Sequence, residues 1–398
     1  MVKNGSKIAY LDGIRGVAAL IVFFYHFLQA FYSSFYTLNI NTSHLNGLEI
    51  KYGQSIWSVF SNGHFCVCIF FVLSGLVLSR KYFQTGQFEI IVSGAQRRFL
   101  RLYIPVAFTL ILSFVLIKSN LYFNTPVSTI SLSEWLASQW QVPDPLARLW
   151  LCLKMGTMFQ GDNSFDISLW TMVIELTGSL FVFAFLAFTH NVKNRFACLA
   201  LVLVYCKFTQ QAFLSAFMLG IGLNFVEQYI SRVNKYLANS LAVVLLLFGL
   251  LLGSSPTSGE VKGTIFEHVP SALAQYSGYH LLGAFLLVLS FVMSPVLQRI
   301  ISLRPFRFLG HISFSLYLLH PLFIGSFGCF VFLKIYGRFD YGYSVAIVFL
   351  LTTIVCLFLS WLMARYVDDP GIQLSKYVYK RWIKKKPAPQ PVEILPQN

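Results

Sequence analysis

The feature that most constrains this chain is an apolar stretch near its start, Tyr10 to Phe35, YLDGIRGVAALIVFFYHFLQAFYSSF. It is long enough to cross a bilayer, because about 20 apolar residues at ~1.5 Å rise match a ~30 Å hydrocarbon core. Two ionisable residues break it, Arg15 and His26. Their spacing of eleven residues returns them to nearly the same helical face and separates them by roughly 16 Å along the axis. Arg15 then lies near one end of the span and His26 deep within it. An ionisable group at that depth is costly and reads first as functional. The plainer alternatives are a positive flank paired with Asp12 for Arg15, and an interhelical hydrogen bond for His26.

The rest of the chain has the same character. Of its 398 residues, 56% are hydrophobic and 11% charged, whereas a soluble domain is about 25% charged. The apolar runs are long and continuous rather than alternating, which selects helices over a membrane barrel. The expectation is an all-α fold: a polytopic transmembrane helical bundle of about ten spans, near 10–34, 57–80, 99–117, 167–189, 195–208, 210–227, 237–253, 272–297, 308–333 and 343–366. The fifth and sixth are short and read either as two spans or as a re-entrant pair. With both termini cytoplasmic, 22 of the 30 Lys and Arg fall on the inner side and eight on the outer. The net charge of +15 therefore fits inner-face orientation and anionic lipid, not nucleic acid. Residues 1–370 read as one transmembrane domain, and 371–398 as a basic cytoplasmic tail, disordered after Trp382. Lys3 and Lys7 precede a run too long for a signal peptide and without a cleavage site, so it is read as an uncleaved first span. The expected location is a multi-pass protein of the cell membrane.

Seven cysteines lie mostly inside apolar runs and predict no essential disulfide. His64, Cys66 and Cys68 do not share one helical face, so no metal site is expected.

Depths counted along the spans bring five ionisable residues on five helices to one layer: His26, His64, Glu175, His280 and His320. A histidine cluster with one carboxylate suits acid–base chemistry. The alternative is interhelical hydrogen bonding, the preferred reading for His64 and His280 singly. On the inner side, Gln96-Arg97-Arg98-Phe99-Leu100-Arg101 opens the third span. Arg98 and Arg101 share a face near a helix N-terminus, with Arg15 at a similar level, which suits a phosphorylated ligand. Positive-inside bias explains the same arginines. Two long outer segments, Tyr36–Ile56 and Lys118–Asp166, carry polar groups, and the second holds Trp135, Trp140 and Trp150. Aromatic faces beside carboxylates and amides suit sugar rings; an interfacial tryptophan belt is the other explanation.

These residues fall into a family pattern. Asp12-Gly13-Ile14-Arg15-Gly16 through His26 resembles the first helix of the acyltransferase family 3 membrane proteins, the O-acetylases of surface polysaccharides, nodulation factors and macrolides. Phe70-Phe71-Val72-Leu73-Ser74-Gly75 resembles their second-helix signature, and Arg97-Arg98-Phe99-Leu100-Arg101 with Pro105 their Arg-x-x-Arg loop. Ser168-Leu169-Trp170 through Glu175 resembles their Trp-Ser-Leu-x-x-Glu element with the polar order altered. Gly310-His311-Ile312-Ser313 through His320-Pro321 resembles their late-helix signature, and Asp368-Asp369-Pro370 stands where they have Glu-x-Pro.

The resemblance implies an acyl-CoA-dependent O-acyltransferase. An acyl group, acetyl above all, would pass from cytoplasmic acyl-CoA to a hydroxyl of a carbohydrate or glycosylated acceptor. Acetyl-CoA is then a co-substrate and no cofactor is bound. Arg15, Arg97, Arg98 and Arg101 would hold the CoA phosphates. His26 would be the general base and Glu175 would orient or stabilise its imidazole. His64, Trp170, His280 and His320 are the candidates for the acceptor pocket. A covalent acyl-His26 intermediate is a second route. The competing function is a proton-coupled transporter that uses the intramembrane His/Glu layer as a relay.

Overall fold

The computed structural model describes residues 9–230, 234–256, 264–267 and 278–383. They form an all-α bundle, with no strand among them beyond an isolated bridge between Tyr336 and Phe339. The long helices are α1 (Ala9–Phe31), α2 (Gly63–Thr85), α3 (Phe88–Lys118), α4 (Trp170–Phe188), α5 (Arg195–Phe208), α6 (Ala212–Ile230), α7 (Lys235–Gly253), α8 (Gly278–Met293), α9 (Arg304–Phe323) and α10 (Tyr341–Met363). By length and composition eight helices among the described residues can cross a membrane, or nine with α8 and the following Pro295–Ile301 helix, bent by 102° at Ser294. Ten spans were expected. Among the described residues each of the ten segments contains a helix, but α5 has only 14 residues, roughly 21 Å of helix against a ~30 Å core. The start of the expected eighth span and the tail from residue 384 lie outside the described residues. The first part of the expected tail, residues 371–383, is helical: Asp369–Val378 packs on α3, with Gly371 against Ile104.

Short polar signals set the helix ends. Asn62 caps α2 by accepting the amide of Phe65 at 3.0 Å, and Gly86, at φ +68°, ends it in the left-handed conformation that a side chain resists. Asp340 caps α10 by accepting from the Tyr343 amide. The third span begins at Phe88, eleven residues before its expected start.

The decisive packing is between α1 and α9. Added Cβ atoms on Gly16 would overlap the backbone of Leu309 and Gly310, and on Gly310 the backbone of Asp12. Two backbones approach this closely only where side chains are absent, the small-residue mode of membrane helix pairs. His26 and His320 each lie ten residues beyond those glycines, so α1 and α9 run parallel and in register.

One end of the bundle carries Arg15, Arg98 and Arg101 and is called the arginine end. At the opposite, capped end, residues 34–61 and 119–166 fold into short helices that lie over the bundle. Pro321 and the π-helical turn Ile324–Gly328 interrupt the regular ladder of α9 and leave the Gly325 carbonyl to accept the Phe123 amide at 3.0 Å. Trp140 packs on the bare face of Gly325, stacks on Tyr122 at 4.4 Å and donates to the Phe165 carbonyl. The cap is thereby fixed to the helix that carries His320.

Candidate active site

His26 is half-buried on α1, and His320 is fully buried on α9. Their rings meet through Nδ1 of His26 and Nε2 of His320 at 2.8 Å. The tautomers follow from the outer partner. His320 Nδ1 lies 3.0 Å from the Leu316 carbonyl, which only accepts, so Nδ1 carries the proton. In the neutral ring, Nε2 of His320 is then an acceptor. His26 must donate from Nδ1, and this leaves its Nε2 with a lone pair. The arrangement is an imidazole held by an orienting second group. Tyr25 packs edge-on against the same imidazole at 5.1 Å, and Trp135 from the cap lies near-parallel to it at 5.4 Å.

Glu175 does not fill the orienting role. Its carboxylate pairs with Arg98 and accepts from Ser74 at 2.7 Å, while Arg98 Nε donates to Ser179 at 2.7 Å. The reason is the longer third helix. Arg98 is ten residues in from Phe88, buried to 7% exposure among α2, α3 and α4. A guanidinium there needs a carboxylate, and Glu175 is the one within reach. The expected layer of five ionisable groups is therefore three partnerships: His26 with His320, His64 with His280, and Glu175 with Arg98.

Arg15, Arg98 and Arg101 are electrostatic neighbours, although only some of them are accessible. Arg15, half-buried, pairs loosely with Asp12 at 3.4 Å, and its electrostatic neighbours are Arg101, Glu175 and Asp368. Arg101 is exposed. Arg97 donates its Nε to the Ser93 carbonyl of its own helix. Arg98 is taken up by Glu175. Because the helix starts at Phe88, no free N-terminal amides stand beside Arg98 and Arg101, and an anion there would be held by side chains alone. Asp369 of the Asp-Asp-Pro segment faces His311 at 3.7 Å, at the same end.

Among the acceptor candidates, His64 Nδ1 meets His280 Nδ1 at 2.9 Å, and His280 Nε2 meets the Ser255 carbonyl at 2.9 Å and the Asn62 amide at 3.0 Å. These bonds tie α2 and α8 to the end of α7, the interhelical role weighed for both histidines. Trp170 and His64 both contact Phe213, at 5.7 Å and 5.6 Å between rings. His320 belongs with His26 instead. Next to Tyr25, the cap leaves a small pocket lined by Tyr25, Phe35, Tyr36, Ser58, Ser61 and Asn62, a mixture of aromatic faces, hydroxyls and an amide.

The sequence places His320 in the layer without pairing it with His26, and shows Trp135 only as an aromatic of the outer segment. The pairing has a signal in the chain: each histidine follows a contact glycine by ten residues. The Trp135 contact has none. Among the described residues no three His, Cys, Asp or Glu side chains converge on a metal position. All seven cysteines are unpaired.

A family model described as an acyltransferase domain matches residues 8–365. The chain is similar to the O-acetyltransferase PaAT-1 of Phomopsis amygdali, 26% identical over 442 residues covering 96% of this chain and 86% of that protein. It is similar also to the acyltransferase clz18 of Cochliobolus lunatus, 24% identical with 96% and 97% covered, and to the acyltransferase R4 of a Phoma strain, 23% identical with 94% and 96% covered. No solved structure matches.

Proposed function

The chain belongs to the acyltransferase family 3 and is a multi-pass membrane acyltransferase, and from that premise we propose that His26 is the general base of an O-acyl transfer from acyl-CoA to a hydroxyl acceptor. The observation that carries the proposal is the His26–His320–Leu316 chain of bonds, which leaves the Nε2 lone pair of a half-buried imidazole inside a membrane bundle. In the reaction, Nε2 takes the proton of the acceptor hydroxyl. The oxygen attacks the thioester carbonyl, the C–S bond breaks, and the imidazolium returns the proton to the leaving thiolate. His320 Nε2 accepts from Nδ1–H throughout, so the positive charge that forms on His26 always has an acceptor against it.

Arg15 and Arg101 are the groups proposed to meet the CoA phosphates. Arg98, held by Glu175, supports their positions from below. Acetyl as the acyl group, and oxygen as the acceptor atom, are supported by the printed name of the Phomopsis relative. A carbohydrate or glycosylated acceptor is supported by the pocket of aromatic rings, hydroxyls and an amide beside Tyr25, since sugars offer apolar ring faces and many hydroxyls. The cell membrane as its location and cytoplasmic termini remain part of the same proposal.

The test is release of CoA thiol from acetyl-CoA by the purified protein with a panel of free and glycosylated hydroxyl acceptors. Acceptor-stimulated release that His26→Ala lowers by about 10²–10⁴-fold is the expected result. Wild-type rates in His26→Ala would overturn the assignment.

A further inference from the structure

The part of the cap that reaches the base is the five-residue helix Glu134–Ser138. Ser133 precedes it, accepts the Leu136 amide at 3.1 Å and donates its hydroxyl to the Gln29 carbonyl at 2.7 Å. Gln29 is three residues beyond His26 on α1, so this buried bond sets the short helix directly over the base. From the other side Asn124 donates to the carbonyls of Leu136 and Gln139, both at 3.0 Å. Trp135 is held between these anchors. Its ring and the His26 imidazole are 20° from parallel with centroids 5.4 Å apart, inside the range for offset-stacked aromatics.

The other two tryptophans of the 119–166 segment do different things. Trp140 is clamped on Gly325 and Tyr122, and Trp150 is exposed with Lys154 over its ring at 4.7 Å. Trp135 and His26 are both half-buried, and the indole lies against the imidazole at the capped end. Water is the competitor of any acceptor hydroxyl. The same base would activate it, its oxygen would attack the thioester carbonyl, and the C–S bond would break to give a carboxylic acid and free thiol.

We propose that Trp135 is a positioning residue that closes the capped end over His26, so that the acyl group passes to an acceptor hydroxyl and not to water. This rests on the acyl-transfer reading with His26 as base. A purely structural side chain would, when lost, lower every rate together. A closing side chain, when lost, raises hydrolysis.

The experiment uses the full chain in lipid nanodiscs with acetyl-CoA and no acceptor, measuring acetyl-CoA binding and thiol release. Wild type is expected to bind and to release thiol slowly. Trp135→Ala is expected to bind as wild type does and to release thiol about fivefold faster or more, with Trp135→Phe close to wild type. The faster release is expected to vanish in the Trp135→Ala, His26→Ala double variant, because it uses the same base. Trp135→Leu repeats the measurement with an apolar but narrower side chain should the alanine variant fail to fold. Thiol release no faster than wild type in a truncated variant that still binds acetyl-CoA would overturn the inference and leave the acyl-transfer reading intact. Failure of wild type itself to bind acetyl-CoA would overturn the donor reading, and this inference with it.

Discussion

A histidine becomes a base only when something decides which of its nitrogens carries the proton. Here a backbone carbonyl decides it at second hand: Leu316 fixes His320, and His320 fixes His26. His320→Ala should therefore keep acetyl-CoA binding and lower the transfer rate by about 10²-fold, the scale of losing a tautomer-fixing partner. An unchanged rate would separate the two histidines functionally. A second buried group acts on stability. Asp166, 1% exposed, accepts the amide and hydroxyl of Ser168 through Oδ1, both at 2.8 Å, but its Oδ2 is buried without a partner. Burial pushes its carboxyl up to about 7, against roughly 3.9 in an unfolded chain. The folded protein thus binds this proton more tightly. The stability it contributes is complete below about pH 4, is lost as pH rises to about 7 at up to ~1.4 kcal/mol per pH unit, and is level above that. Thermal unfolding between pH 5 and 8 should show a falling midpoint in wild type and a smaller fall in Asp166→Asn. Equal slopes in the two proteins would contradict the assignment.

At the scale of helices, the His26–His320 pair is a consequence of glycine contacts. Gly16 and Gly310 let α1 and α9 touch backbone to backbone, and parallel register then carries His26 to His320 about 15 Å further on. Gly310→Ala should force the helices apart, lower the unfolding midpoint by the equivalent of about 1–3 kcal/mol and reduce transfer by more than that loss of folded protein explains. Retained rate and midpoint would mean that the contact is not what sets the pair. The same scale shows what could be read from the chain. Most of the helical segments were legible, because apolar runs of about twenty residues are visible to a local window. Arg15 and His26 were legible because both are ionisable residues in one such run. The partner of Glu175 was not, because it depends on where the third helix begins. An interfacial turn such as residues 88–98, with two charged ends and few long apolar residues, looks like a loop to the same window although it is helix. The short α5 is ambiguous for the opposite reason: it is apolar enough for a span but lacks the length, which is why its segment reads either as a span or as half of a re-entrant pair.

Over the whole molecule, two groups of polar side chains occupy opposite ends of one bundle. The arginine end offers Arg15 and the exposed Arg101 to an anion, and the capped end holds His26 under Trp135. On the proposed reading, an extended thioester arm would bridge the distance between them, roughly 16 Å along α1. The cap itself was not legible as a structure. Its ties to the bundle are single bonds between residues far apart in sequence, Phe123 to Gly325 and Ser133 to Gln29, which no pattern in the chain announces. Arg98 is the wrong residue for testing the donor site, since removing either member of its buried pair with Glu175 strands a charge at a cost of about 3–5 kcal/mol. The most direct measurement is equilibrium binding of labelled acetyl-CoA to wild type, Arg101→Ala and His26→Ala. Saturable binding in wild type, kept in His26→Ala and weakened at least about tenfold in Arg101→Ala, is the expected result. Binding lost in His26→Ala but untouched in Arg101→Ala, or absent from wild type, would contradict a donor site at the arginine end separate from the base.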